Sequence, residues 1–304
     1  MPEPRTNRTD LAPYAALLAV QFLFGSMPVV GKFVLAAIPS VALVGFRVGI
    51  TAAVLYVARR SGGSLRLDDR RDYWRLALLS FFGVTFNQLL FIGGLSLTKA
   101  SNTSLLAVTI PIFALAIGAI VGTERLVARK VVGIALAAVG VVFLIDPRNA
   151  SFSSETTLGD ILIVLNSLSF GIYVATSKPI FTRNGPLRSI AWIFIFAAVV
   201  CVPLGLYSLA AIDLTAIEPL VWVAVLHIAV GATSVPYLLN AWALVRVSPS
   251  TLTVFIYLQP VIGFLAAVVF LGERLDAKFA VATILIFIGL FLTVFSPRRA
   301  GRET

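Results

Sequence analysis

The side chains able to do chemistry in this sequence are few, and they are of kinds that bind a ligand rather than cut one. Gln21, Asn87, Tyr173, His227, Tyr257 and Gln259 each fall inside a long apolar stretch, and Arg47 falls inside another. An amide or guanidinium without a partner is expensive in hydrocarbon, so these groups are expected to face protein or a water-filled cavity. For Arg47 two readings stay open, bonding to span-end carbonyls or holding a carboxylate of a ligand. Asp10, Glu124, Asp146, Asp160, Asp213, Glu218, Glu273 and Asp276 all lie at the ends of apolar stretches or between them. His227 is the single histidine, Cys201 the single cysteine, and no Cys, Asp or Glu stands near either at metal-ligand spacing. No metal and no cofactor are therefore expected. With no nucleophile–base pair and no paired carboxylates in the apolar stretches, an enzyme is not expected either. A wall of amides, phenols and aliphatics suits a zwitterion with an apolar side chain, or a neutral or cationic amphipath. Sugar phosphates would require several inward-facing Lys or Arg.

The elements holding these residues follow from composition. Of 304 residues 59% are hydrophobic and only 12% charged, with a mean hydropathy of +0.98, far from the balance of a soluble domain. Ten stretches are long and apolar enough to cross a bilayer, near 12–35, 41–58, 76–96, 103–122, 127–145, 158–177, 190–212, 220–243, 251–272 and 277–296. The connections between them are too short to fold as a separate domain. The first stretch runs on without a small-x-small cleavage site, as a retained helix rather than a signal peptide. With the N-terminus inside, eighteen of the 24 Lys and Arg lie on inner segments, from Arg5 and Arg8 through the Arg59–Arg75 and Arg125–Lys130 groups to Arg302. Only Lys32, Lys99, Arg148, Arg274 and Lys278 lie on the outer side. This bias predicts cytoplasmic termini and explains the net charge of +10 without nucleic acid.

The chain repeats itself. Pro111, Glu124, Arg125, Leu126, Ala128, Val132, Leu136 and Gly140 recur in register at Pro260, Glu273, Arg274, Leu275, Ala277, Val281, Leu285 and Gly289. Phe24, Gly25 and Lys32 recur at Phe170, Gly171 and Lys178. Each half, 1–147 and 148–304, thus holds five spans, and an odd number forces the second half to enter the membrane upside down. The expected fold is an all-α polytopic membrane protein of ten transmembrane helices in two inverted five-helix repeats. This architecture recurs in secondary transporters, with the ligand near the midplane where the repeats meet.

Within that frame, Gln21, Gly25, Pro28 and Lys32 form one stripe along the first span, with Ser167, Gly171, Val174 and Lys178 as its counterpart in the sixth. Lys32 and Lys178 lie near opposite membrane faces, placed either to anchor a helix end or to close a gate by bonding a neighbour's helix-end carbonyls. Pro111 and Pro260 remove a backbone bond at equivalent positions, freeing the carbonyls of Ala107 and Ile256 and predicting matched hinges. Gly83, Gly93, Gly94, Gly231 and Pro236 are expected to let the third and eighth spans bend. The absence of mid-span carboxylates predicts facilitated diffusion without ion coupling.

The F-G-x6-K spacing of spans one and six, with the stretch ASNTSLLAVTIPIFALAIGAIVGTERL echoed by SPSTLTVFIYLQPVIGFLAAVVFLGERL, resembles the EamA family of the drug/metabolite transporter superfamily. Within it the chain looks most like the YddG-type aromatic amino acid exporters. That resemblance implies a carrier of the bacterial inner membrane that exports aromatic or other hydrophobic amino acids by alternating access. Its partners would be a small-molecule substrate and the lipid bilayer. The alternative is efflux of cationic drugs or other small amphipathic metabolites.

Overall fold

The structure is a computed structural model, described for residues 11–145, 155–210, 212–262, 265 and 277–295. Among the described residues ten long helical segments run in chain order: α1 Ala12–Leu35, α2 Ser40–Gly62, α3 Arg70–Leu97, α4 Asn102–Ile120, α5 Ala128–Ile145, α6 Thr157–Asn184, α7 Pro186–Leu209, α8 Pro219–Leu244, α9 Pro249–Ile262 and α10 Ala277–Val294. Eight of them, α1 to α8, are long and apolar enough to cross a membrane, and α9 and α10 are shorter apolar helices among the described residues. Several run past the hydrophobic stretch that marks them in sequence. α3 begins at Arg70, and α6 continues to Asn184, where a single glycine, Gly185 at φ 80°, turns the chain into α7. Side-chain bonds hold these polar extensions. Buried Asp72 accepts from Arg183 at 2.8 Å and Asn184 at 2.7 Å, pinning the start of α3 to the end of α6.

Two pairs of helices in equivalent positions of the two halves, α2 with α7 and α5 with α10, pack against each other antiparallel. Gly45 of α2 meets Gly205 of α7, where an added Cβ would come within 2.9 Å of the Gly205 Cα, and Gly49 four residues on meets Val202. Gly133 of α5 faces Gly289 of α10, while Gly140 faces Ala282. As one chain advances its partner recedes, so the two five-helix repeats are inverted. The glycines allow this approach because a methyl group at either position would strike backbone.

The helices are interrupted at matched places. In α3 and α8 a π-turn spans Phe81–Thr85 and Val230–Ser234, at the same 149-residue offset that separates Pro111 from Pro260. Its wide spacing loosens the backbone ladder, and hydroxyls reach the carbonyls five residues back: Thr233 donates to Ile228 and Ser234 to Ala229. These π-turns, rather than simple bends at Gly83 and Gly231, are how the two spans deviate. α4 breaks at Ala107–Val108, and α9 tightens into a 3-10 turn at Phe255–Tyr257, each just ahead of its proline. The carbonyl of Ala107 is not left free as the sequence suggested, because the Ile110 N–H closes a tighter turn onto it at 3.1 Å. The Leu258 N–H bonds within the 3-10 turn of α9, toward the Phe255 and Ile256 carbonyls. α1 breaks at Ser26, two residues before Pro28, whereas α6 runs unbroken past the equivalent Val174.

The first Glu-Arg-Leu triplet has a direct role. Glu124 accepts the Ser250 N–H at 2.9 Å and bonds the Ser250 hydroxyl and Lys130. A carboxylate of the first repeat therefore satisfies the free N-terminal donors of α9 in the second. The second triplet, Glu273 to Leu275, lies outside the described residues.

Replacing Gly205 with valine, or Gly45 with leucine, is expected to cost about 1–3 kcal/mol through overpacking against backbone. The result should be a clear fall in the melting temperature of the detergent-purified protein. A Gly205→Val protein that melts with the wild type would contradict this packing.

Candidate functional site

A cavity of about 110 Å³ opens where α1, α2, α3, α4, α6, α8 and α9 converge. Its apolar wall is Phe24, Met27, Phe91, Ala107, Ile110, Ile163, Phe170 and Ile256. Its polar groups are Arg47, Asn87, Gln88, Thr103, Ser104, Asn166, Tyr237 and Gln259. Thr103 and Ile163 lie near the starts of α4 and α6, so the cavity reaches toward the membrane face that holds Lys32. Toward the opposite face Tyr173, Phe181, Leu244 and Leu252 close around a void of only about 10 Å³ beside Tyr237.

The polar groups are held by one another across the two repeats. Gln88 Nε2 donates to the Tyr237 hydroxyl at 3.0 Å, and that hydroxyl donates to the Gly83 carbonyl at 3.0 Å inside the π-turn of α3. Gln88 and Tyr237 stand at the 149-residue offset of the repeat, so this bond joins equivalent positions and marks the pseudo-dyad. A second such pair, Tyr257 donating to the Val108 carbonyl at 2.8 Å, marks it again where α4 and α9 cross. Asn87 and Asn166 exchange bonds with each other's backbone carbonyls, at 3.3 and 2.8 Å, fixing α3 to α6. Gln259 donates to the Gln21 side-chain oxygen at 2.9 Å, and Gln21 donates to Leu17 at 3.2 Å. The Tyr237 ring is gripped edge-on by Phe194 and Phe24, at 5.1 and 6.3 Å between centroids.

Arg47 is 2% exposed. Its Nε donates to Thr233 Oγ1 at 3.0 Å and its Nη2 reaches the Ala232 carbonyl at 3.5 Å, both in the π-turn of α8. These are mid-span partners rather than the span-end carbonyls of one of the two readings, because the π-turn presents hydroxyl and carbonyl groups at depth.

Of the residues singled out in the sequence, Arg47, Asn87 and Gln259 border the cavity, and Gln21 stands behind Gln259. Tyr173 packs on Gly83 and lines only the small void beneath, and Tyr257 lies beside Pro260 at another small void. His227 is not at the cavity. It is exposed on the outside of the bundle, where its Nε2 lies 3.1 Å from the Ser26 hydroxyl at the break in α1. Depth along a span does not fix the face a side chain takes, and Val225 and Ile228 hold the buried face of α8 there. Pro111 is buried in α4 just beyond its break. Lys32 donates to the Thr98 carbonyl at 2.7 Å and Lys178 to the Val247 carbonyl at 2.5 Å. Thr98 and Val247 are themselves repeat equivalents, so the two lysines make symmetry-related bonds at opposite faces. Gln88, Asn166 and Tyr237 are mid-span polar or aromatic groups by sequence but are not among the cavity candidates it favours. For Gln88 and Tyr237 the signal was available, since the offset that matches the two prolines also matches them.

The pattern of the EamA-like transporter family matches residues 11–146 and again 157–295. The chain belongs to the EamA-like transporter family. Among relatives of this EamA-like chain is a protein of Salmonella typhimurium described as a "Probable amino-acid metabolite efflux pump", 29% identical and matched over 94% of this chain and 95% of its own length. The uncharacterized transporter YetK of Bacillus subtilis is 21% identical over 96% of this chain and 89% of its own. A solved crystal structure superimposes with a TM-score of 0.74 at 20% identity, covering 93% of this chain and 96% of that one, which establishes the shared fold. The EamA-like chain is thus a multi-pass membrane transporter, and the cavity lies where its two repeats meet.

Tyr237→Phe is expected to leave Gln88 Nε2 without its hydroxyl partner, lowering stability by about 1–3 kcal/mol. Thermal unfolding followed by tryptophan fluorescence checks this, and an unchanged transition would show that the dyad bond contributes nothing.

Proposed function

We propose that this transporter exports amino acids, aromatic or otherwise hydrophobic, from the cytoplasm across the inner membrane of a bacterium. The observation that carries this reading is the cavity on the pseudo-dyad. Its apolar wall suits an aliphatic or aromatic side chain, and its amides and single guanidinium suit the polar end of a zwitterion. The relative described as an amino-acid metabolite efflux pump points the same way.

Movement would be alternating access of the inverted repeats, with the breaks ahead of Pro111 and Pro260 as hinges. Lys32 and Lys178, each bonded to the end of a neighbouring span, would serve as latches at the outer and inner faces. The charge bias of the sequence supports a cytoplasmic position for both termini and the Lys178 face. Among the described residues no carboxylate borders the cavity, which supports facilitated diffusion down the substrate gradient without ion coupling.

The test is counterflow in vesicles reconstituted with purified protein, using labelled phenylalanine and competition by tryptophan, methionine and threonine. Saturable exchange without an imposed ion gradient is expected. Strict dependence on a proton gradient would overturn the uncoupled mechanism, and carriage of lipophilic cations in place of amino acids would overturn the substrate. Pro111→Ala and Pro260→Ala are expected to lower the maximal rate several-fold, by roughly 1 kcal/mol of barrier, while KM moves little. Full wild-type rates in both variants would remove the hinges.

A further inference from the structure

We infer that Arg47 is the carboxylate-binding residue of the cavity, so that its substrates are monocarboxylates with an apolar side chain. This rests on the reading of the cavity as the transport site and goes beyond it by naming the group the substrate must carry.

The argument begins with an unbalanced charge. Arg47 is buried in the bundle at 2% exposure and borders the cavity. A guanidinium does not shed its proton in a protein, so the charge must be met by other groups. Among the described residues the ion pairs use Asp72, Glu124 and Asp68, and none of them reaches Arg47. Neutral acceptors hold one edge of its fork: Thr233 Oγ1 takes Nε, and the Ala232 carbonyl stands at 3.5 Å from Nη2. Nη1 is buried and has no acceptor at all. A buried donor without a partner, on a charged group, is a costly arrangement unless something else occupies it part of the time.

The surroundings fix what that something is. The Thr233 bond comes from the π-turn, which orients the guanidinium while leaving its other edge unfilled. A carboxylate is planar and accepts two parallel N–H bonds, matching the fork Arg47 presents. One guanidinium balances one negative charge, and among the described residues no other cation borders the cavity, which favours a monoanionic group over a phosphate ester. An amine or a lipophilic cation would add like charge to a site already positive. The apolar wall of Phe24, Phe91 and Phe170 then takes the rest of the molecule.

The experiment is exchange of labelled phenylalanine in vesicles containing the intact wild-type protein. The competitors are phenylalanine, phenylpyruvate (carboxylate without ammonium), and phenylalaninamide and phenethylamine (ammonium without carboxylate). Phenylalanine and phenylpyruvate are expected to compete, with the amide and the amine weaker by about tenfold or more. Arg47→Gln is expected to raise KM by a similar factor, with Arg47→Lys intermediate. Equal competition by the amide and amine overturns the inference, and so does an Arg47→Gln protein that elutes as the wild type and keeps its KM within about twofold. The competition series decides even where a variant fails to fold, because it needs only the wild type. Carriage of phenylpyruvate but of no amino acid would keep the carboxylate site and remove the amino-acid reading. Carriage of amines and of no carboxylate would remove both.

Discussion

In hydrocarbon there is no water to satisfy a backbone N–H or C=O, so any departure from a regular helix must be made good from within the protein. Among the described residues the helices depart at five places, in α1, α3, α4, α8 and α9. In four of them a side chain donates to the interrupted backbone. Ser26 donates to Leu23, Thr233 and Ser234 to the carbonyls of the α8 π-turn, the Tyr237 hydroxyl to Gly83, and Tyr257 to Val108. The breaks border or flank the cavity, as the rule for irregular backbone at membrane depth requires. The cavity and the broken helices are therefore one feature: the interruptions make room, and the polar groups that repair them become its lining.

The pseudo-dyad organises the repair. Gln88 with Tyr237 and Val108 with Tyr257 are pairs of equivalent positions that meet each other, so each repeat completes the other's backbone. The same logic extends to the faces, where Lys32 and Lys178 bond equivalent carbonyls and Glu124 caps a helix of the opposite half. Symmetry is not complete. The first span is broken and its counterpart is not, because Pro28 faces Val174 in the alignment of the halves. The proposed transport cycle would draw on both properties, exchange of roles between faces from the symmetry and a preferred path from the departure.

Arg47 stands outside the repeat, since the two offsets of the halves set Ile193 or Phe196, not a charged residue, opposite it. Phe194 packs edge-on against Tyr237 and supports the floor of the cavity, while Arg47 supplies its one positive charge. Two equivalent helices thus carry unlike residues to the same centre, and the cavity acquires a polar and an apolar side. An oriented, amphipathic ligand fits such a division.

Much of this was legible without coordinates. The hydrophobic stretches determined the spans, because a bilayer sets a length that composition alone can meet, and the offset of Pro111 from Pro260 determined the repeat and, by parity, its inversion. Gly140 could be seen to recur at Gly289, but not that α5 and α10 meet through these glycines and Gly133. The π-turns left no mark in the sequence, since an extra backbone residue in a helix changes no residue type. What only the tertiary structure decided was direction around each helix axis. His227 and Tyr237 share a span, yet one faces outward and the other the dyad. A nearly uniform apolar helix has no amphipathic face to set its rotation, so packing against neighbours chooses which polar groups enter the cavity.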